Sequence, residues 1–141
     1  MAVRALVIDA NILIRATLGI RARNIIKTYS SMVALCVPEP AWHDAEKHVA
    51  LLAAKRHGDP EKLLRVLRLI ADLVQVAGED TYLDFAPEAR RRLARRDPDD
   101  WPILACALAL DCPIWTEDAD FFGCGVATWT SDRVVTYLSA G

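Results

Sequence analysis

Short apolar runs rich in β-branched residues recur along this chain with helix-like stretches between them, and that alternation limits its folds most severely. Such runs stand at Val3 to Ile8, Ala34 to Val37, Val74 to Ala77, Pro113-Ile-Trp-Thr and Val126-Ala-Thr-Trp. Each is too short for a helix and shows no polar alternation, as expected of strands buried on both faces. Helical spacing begins at Asn11, runs from Ala41 to about Arg56, and resumes from Glu61 to about Leu73 after the Gly58-Asp59-Pro60 break. Thr81 to Arg96 is also helical, with Pro87 either kinking it or opening a second helix. Asp97-Pro-Asp-Asp-Trp-Pro starts a helix reaching about Leu110, and Asp132 to Leu138 closes the chain. Strands separated by helices predict a three-layer α/β/α fold around a central, mainly parallel five-stranded sheet.

Composition bounds the function. The chain has 141 residues, the size of a single domain spanning 1–141, and 53% are hydrophobic, which excludes a disordered chain. Its formal charge is −2, from 17 basic and 19 acidic residues, which argues against a protein that coats nucleic acid. The run from Val3 to Ile14 is interrupted by Asp9 and Asn11, and Ile103 to Leu110 is too short to span a bilayer. A soluble, cytoplasmic protein without membrane attachment is expected. Cys36, Cys106, Cys112 and Cys124 lack metal-ligand spacing and read as free thiols; His43, His48 and His57 show no HxxxH pattern, which argues against zinc.

In parallel α/β sheets, sites form beyond the carboxyl ends of the strands, near the point where strand order reverses. Acids fall at such places. Asp9 follows the first strand directly, where it serves either as a helix cap or as a catalytic acid. Glu46 lies on the helical face of Trp42, Ala45, Val49 and Ala53, while Asp44, Lys47 and His48 fall off it. A carboxylate among apolar neighbours requires a partner or a metal unless its head reaches water at the edge. Of Asp97, Asp99 and Asp100, one is a cap, and Asp100 projects from the inward side of its helix start, whose amides would keep it ionised near neutral pH. Asp118 and Asp120 follow the fourth strand, in a loop where an Asx-turn is the alternative reading. An all-oxygen cluster selects Mg²⁺ or Mn²⁺. Such ions activate water and stabilise a phosphodiester under in-line attack, so a metal-dependent RNA nuclease is the expected activity.

Three blocks carry a family resemblance: Val7-Ile-Asp-Ala-Asn-Ile-Leu, Asp97-Pro-Asp-Asp-Trp-Pro-Ile-Leu-Ala, and Ile114-Trp-Thr-Glu-Asp-Ala-Asp-Phe-Phe-Gly-Cys-Gly-Val. Together with an acid on the helix after the second strand, they resemble the PIN domain, the nuclease fold of VapC-type toxins and related ribonucleases. The resemblance spans the chain and is loosest from His57 to Asp80. It implies that Asp9, Glu46, Asp100 and Asp118 bind the metal, with Asp120 as an additional ligand and Asn11 and Thr116 as polar supports. Glu39 and Asp44 are the other acids near Glu46. It also implies an RNA substrate, an antitoxin partner and pairing into a homodimer, for which Leu64 and Leu69 supply apolar surface beyond their helix stripe.

For RNA contact the sequence offers Arg15, Arg21, Arg23 and Lys27 after the first motif, and Arg90, Arg91, Arg92, Arg95 and Arg96 before the Asp97 turn. Arg15, Arg91 and Arg95 are the expected contacts, against a plain solvated helix face. A catalytically silent PIN-like module binding RNA or protein is the main alternative. A haloacid-dehalogenase-type phosphatase or a receiver domain fits less well. The former wants an acid where Asn11 stands, and both want a late lysine, whereas Lys27, Lys47, Lys55 and Lys62 all precede the third strand.

Overall fold

The computed structural model describes residues 4–55 and 58–140. Expectations placed on Val3, Arg56 and His57 lie outside them. Five strands form one sheet in the order β3-β2-β1-β4-β5, and every pairing is parallel. They are β1 (Ala5–Ile8), β2 (Ala34–Pro38), β3 (Gln75–Ala77), β4 (Ile114–Trp115) and β5 (Thr128–Trp129). Leu6, Val7 and Ile8 are successive residues on opposite faces of β1, and all three are fully buried. Both faces of the sheet centre are therefore covered, which explains why the strand sequences do not alternate.

The chain runs outward from β1 through β2 to β3, then returns to lay β4 on the other side of β1, with β5 beyond it. The β1–β4 seam is thus the point where strand order reverses. Helices α1 (Ala10–Leu18), α2 (Ile20–Tyr29), α3 (Glu39–Lys55) and α4 (Pro60–Ala71) pack on one another. A second group consists of α5 (Glu79–Tyr82), α6 (Ala86–Leu93) and α7 (Trp101–Leu110), with α7 lying on β1 and β2. Helix α8 (Val134–Leu138) follows β5 and buries Val134 and Leu138.

Most helix ends sit where the local chemistry puts them. Asp59 caps α4 by accepting from the Glu61 amide at 3.0 Å, and Pro60 occupies the first turn. The expected helix over 81–96 is divided: α5 ends, a 3-10 turn follows at Leu83–Phe85, and Pro87 sits in the first turn of α6. Proline lacks an amide hydrogen, so it opens the new helix rather than kinking an old one. Helix α7 buries every residue from Pro102 to Ala107, which is why it reads as apolar all round. The four thiols are free; burial pushes those of Cys106 and Cys112 up to about 12.

Candidate active site

Asp9 stands at the carboxyl end of β1 and is only 6% exposed. It is at once a helix cap and a member of a polar network, so neither reading of it excludes the other. Its Oδ1 accepts from the Ala10 amide at 2.7 Å. Its Oδ2 accepts from Asn11 Nδ2 and from Thr116 Oγ1, each at 2.7 Å. Burial raises the Asp9 pKa, the bonds from Thr116, Ala10 and Asn11 oppose the rise, and the charge of Asp118 adds to it; the net direction is upward.

Thr116, fully buried at the end of β4, ties the seam together. Its hydroxyl donates to Asp9, accepts from the Asp118 amide at 2.9 Å, and accepts more distantly from Asn11 Nδ2 at 3.4 Å. One donor and two lone pairs are thereby all engaged. Asn11 Oδ1 in turn accepts from the Glu117 amide at 3.4 Å, and Glu117 Oε1 accepts from the Ser131 amide at 2.7 Å. Asp118 caps a 3-10 turn (Ala119–Phe121) through the Asp120 amide at 2.9 Å.

Asp100 enters the same site from the start of α7. The cap among the three acids there is Asp97, whose Oδ1 accepts from the Asp99 amide at 3.2 Å. Asp100 makes no capping bond. Its pKa is pushed up to about 7 by burial first, then by the charges of Asp9, Asp97 and Asp118. The expectation that helix-start amides keep this carboxyl fully ionised near neutrality is therefore corrected: desolvation and three like charges outweigh them.

A cleft of about 30 Å³ opens between α3, the end of β1 and the start of α7, with room for one or two small species. Asp9, Asp44, Asp99 and Asp100 line it, on walls of Pro40, Ala41, Pro102 and Ile103. The acid that α3 brings to this cleft is Asp44, on the helix face of Pro40 and Ala41. Glu46 is not among the cleft residues; its carboxylate lies 3.6 Å from His43 Nδ1, both side chains well exposed. Asp44 and Glu46 thus take different places on α3, Asp44 on the cleft wall and Glu46 beside His43. Asp120 is exposed, its carboxylate is not among the cleft-lining groups, and its backbone carbonyl accepts from Arg96 at 2.9 Å.

Much of the basic run before Asp97 is spent on the fold. Arg96 donates to the carbonyls of Asp120 and Phe122, and Arg92 donates to the carbonyl of Cys124 at 3.2 Å. Gly123 and Gly125, with φ of 85° and 91°, let the loop pass close beneath these guanidinium groups. A Cβ on Gly125 would sit 2.7 Å from Arg92 Nη1. Arg91 and Arg92 share Glu88, whose carboxyl they hold down at about 2. Arg90 stacks over Trp101, 4.4 Å from the ring centroid. Arg15 and Arg95 are exposed, their guanidinium groups with no hydrogen bond or ion pair among the described residues. Sequence reasoning missed the loop-holding roles of Arg92 and Arg96, and left open that Asp97 is the cap and that Asp44 lines the cleft. The Pro40-Ala41-Asp44 spacing and the Gly-Cys-Gly triplet were the available signals.

The donor set is entirely carboxylate oxygen, which suits a hard divalent cation rather than zinc or iron. Burial first, and then the charges of neighbouring acids, disfavour the ionised forms of Asp9 and Asp100, and a cation would offset both effects. Among the described residues, no three His, Cys, Asp or Glu side chains already stand close enough to enclose an ion.

A family model described as PIN domain matches residues 7–139. No curated protein matches the sequence. Among solved structures, PAE2754 from Pyrobaculum aerophilum is similar with a TM-score of 0.72 at 16% identity, over 99% of this chain and 92% of that one. VapBC2 from Rickettsia felis, solved bound to a DNA fragment from the promoter, gives 0.70 at 12% identity, over 89% and 98%. A toxin-antitoxin complex from Klebsiella pneumoniae gives 0.65 at 19% identity, over 89% and 97%. At these identities the likeness is one of fold.

Proposed function

The chain belongs to the PIN domain family, and from that premise we propose that it is a cytoplasmic, Mg²⁺- or Mn²⁺-dependent endoribonuclease. The observation that carries the reading is electrostatic: Asp9, Asp100 and Asp118, from three distant points of the chain, feel one another's charge at the seam where strand order reverses. Helix α3 adds Glu46 as the fourth acid of this reading, with Asp44 on the cleft wall beside it. When bound, the cation would lower the pKa of water and offset charge on the phosphodiester under attack.

The chain's own residues would do the rest. Asp9, Asp100 and Asp118 would hold the cation, with Asp44 across the cleft. Thr116 and Asn11 fix the Asp9 carboxylate in one orientation, so that its oxygens are presented without a search through rotamers. Hydrolysis then breaks one phosphorus–oxygen bond of RNA as water adds to phosphorus. Incubation of purified protein with single-stranded RNA tests this: cleavage is expected with Mg²⁺ or Mn²⁺ and is lost with EDTA. Metal-independent cleavage that persists through repurification overturns it. A folded, metal-binding protein that cuts no RNA favours the silent-module reading.

The Klebsiella pneumoniae relative was solved as a toxin-antitoxin complex, and we read this chain as the toxin of such a pair, acting as a homodimer. An antitoxin would silence it by placing an arginine fork among the carboxylates, in competition with the cation. Growth arrest on expression alone, relieved by co-expression of the partner, is the expected result.

A further inference from the structure

A separate cavity, of about 330 Å³, is lined by Arg15, Gly19, Ile20, Arg21, Ala22 and Ser131. Both walls connect it to the acids. On α1, Arg15 follows Asn11 by four residues and shares its face, roughly 6 Å along the helix axis; Asn11 is bonded to Asp9. On the opposite wall, Ser131 is held by Glu117, whose amide is held by Asn11.

The two arginines have little to do within the fold. The Arg15 guanidinium makes no hydrogen bond or ion pair among the described residues, and that of Arg21 makes only a long 3.5 Å contact with the Ser131 carbonyl. Asp132, the acid that feels the charge of Arg21, is already bonded to the Thr130 hydroxyl. This sets the pair apart from Arg91, Arg92 and Arg96, whose guanidinium groups are committed to Glu88 or to loop carbonyls.

We propose that Arg15 and Arg21 form a subsite for a backbone phosphate of the RNA strand, flanking the bond that is cut. The proposal rests on the nuclease reading of the acid site. A guanidinium fork matches the geometry of a phosphate, and a phosphate contact acts on every sequence alike. It also answers an electrostatic need, because a pocket of acids repels RNA and the strand requires cationic purchase close by.

Binding of a short single-stranded RNA to the Asp100→Asn protein, followed by fluorescence anisotropy across a NaCl series, tests the subsite without turnover. Arg15→Ala and Arg21→Ala should each weaken binding by up to about fivefold, the worth of an exposed charge pair. Each should also flatten the slope of log affinity against log salt by about 0.7, the value for one single-strand phosphate contact. Arg15→Gln guards against a folding fault, and Arg68→Ala, an exposed arginine on α4, should change neither quantity. On the otherwise intact enzyme, Arg15→Ala should raise KM for RNA and leave the rate on bis(4-nitrophenyl) phosphate, which has no flanking phosphate, unchanged. Wild-type affinity and slope in both alanine variants would overturn the subsite, as would weaker binding with an unchanged slope. Either result leaves the nuclease reading standing if RNA cleavage still requires Asp100. Loss of that requirement overturns the nuclease reading instead.

Discussion

With its pKa carried to about 7, Asp100 keeps a proton in the folded chain over a range where the same carboxyl, at its ordinary value of 3.8, has lost it on unfolding. The folded state therefore binds more protons between about pH 4 and 7, and stability falls as pH rises through that window. Melts of the metal-free protein should show a lower Tm at pH 8 than at pH 5. Mn²⁺ should restore more at pH 8, where less proton must be displaced. Asp100→Asn should raise the metal-free Tm at pH 8, by about 4 °C per kcal/mol of repulsion removed, while abolishing cleavage. The reverse holds for Thr116→Val, which keeps the shape and deletes the hydroxyl that serves Asp9 and Asp118. Leaving those groups short of a partner should cost about 1–3 kcal/mol in chemical denaturation. At this scale the sequence was legible where an acid ends a strand, as Asp9 does. It was less legible where the acid sits on a helix, because α3 carries both Glu46, beside its apolar stripe, and Asp44, which lines the cleft.

Elements position these residues, and the loop from Asp118 to Gly125 depends most on help from elsewhere. Arg92 and Arg96, both downstream of the Glu88 turn of α6, hold three of its carbonyls. Arg96→Ala should lower kcat for RNA several-fold with little change in Tm, and Arg96→Lys should recover only part, since its shorter, more strongly hydrated head does not reproduce the placement of the Nη1 that serves both carbonyls. Gly125→Ala should destabilise by about 1–2 kcal/mol for the left-handed backbone alone, with the Arg92 contact adding to it; urea titration measures both. The sequence revealed the strands because their runs are mostly apolar and bounded by proline, glycine or an acid. Helix α2 escaped notice because only Ala22 and Ile26 are buried, among Arg21, Arg23, Asn24, Lys27 and Thr28. Two small contacts on a polar helix leave almost no periodic signal.

For the whole molecule, the parallel sheet followed from the alternation of runs and helices, whereas its strand order and the assembly did not. Leu64 packs against the core and leaves Leu69, 66% exposed, as the surplus apolar side chain of its helix. Light scattering at micromolar concentration should find a dimer, and Leu69→Lys should shift it toward monomer. The seam that carries the site has a consequence in time as well as in space. Strand β1 must wait for β4, with Val7 paired to Ile114 across most of the chain's length. Until that pairing forms, Asp9 lacks Thr116, its buried hydrogen-bond partner 107 residues away, and with it the group that orients its carboxylate. A site assembled across that separation is tied to completion of the whole fold and cannot outlast it, because no local segment carries it alone.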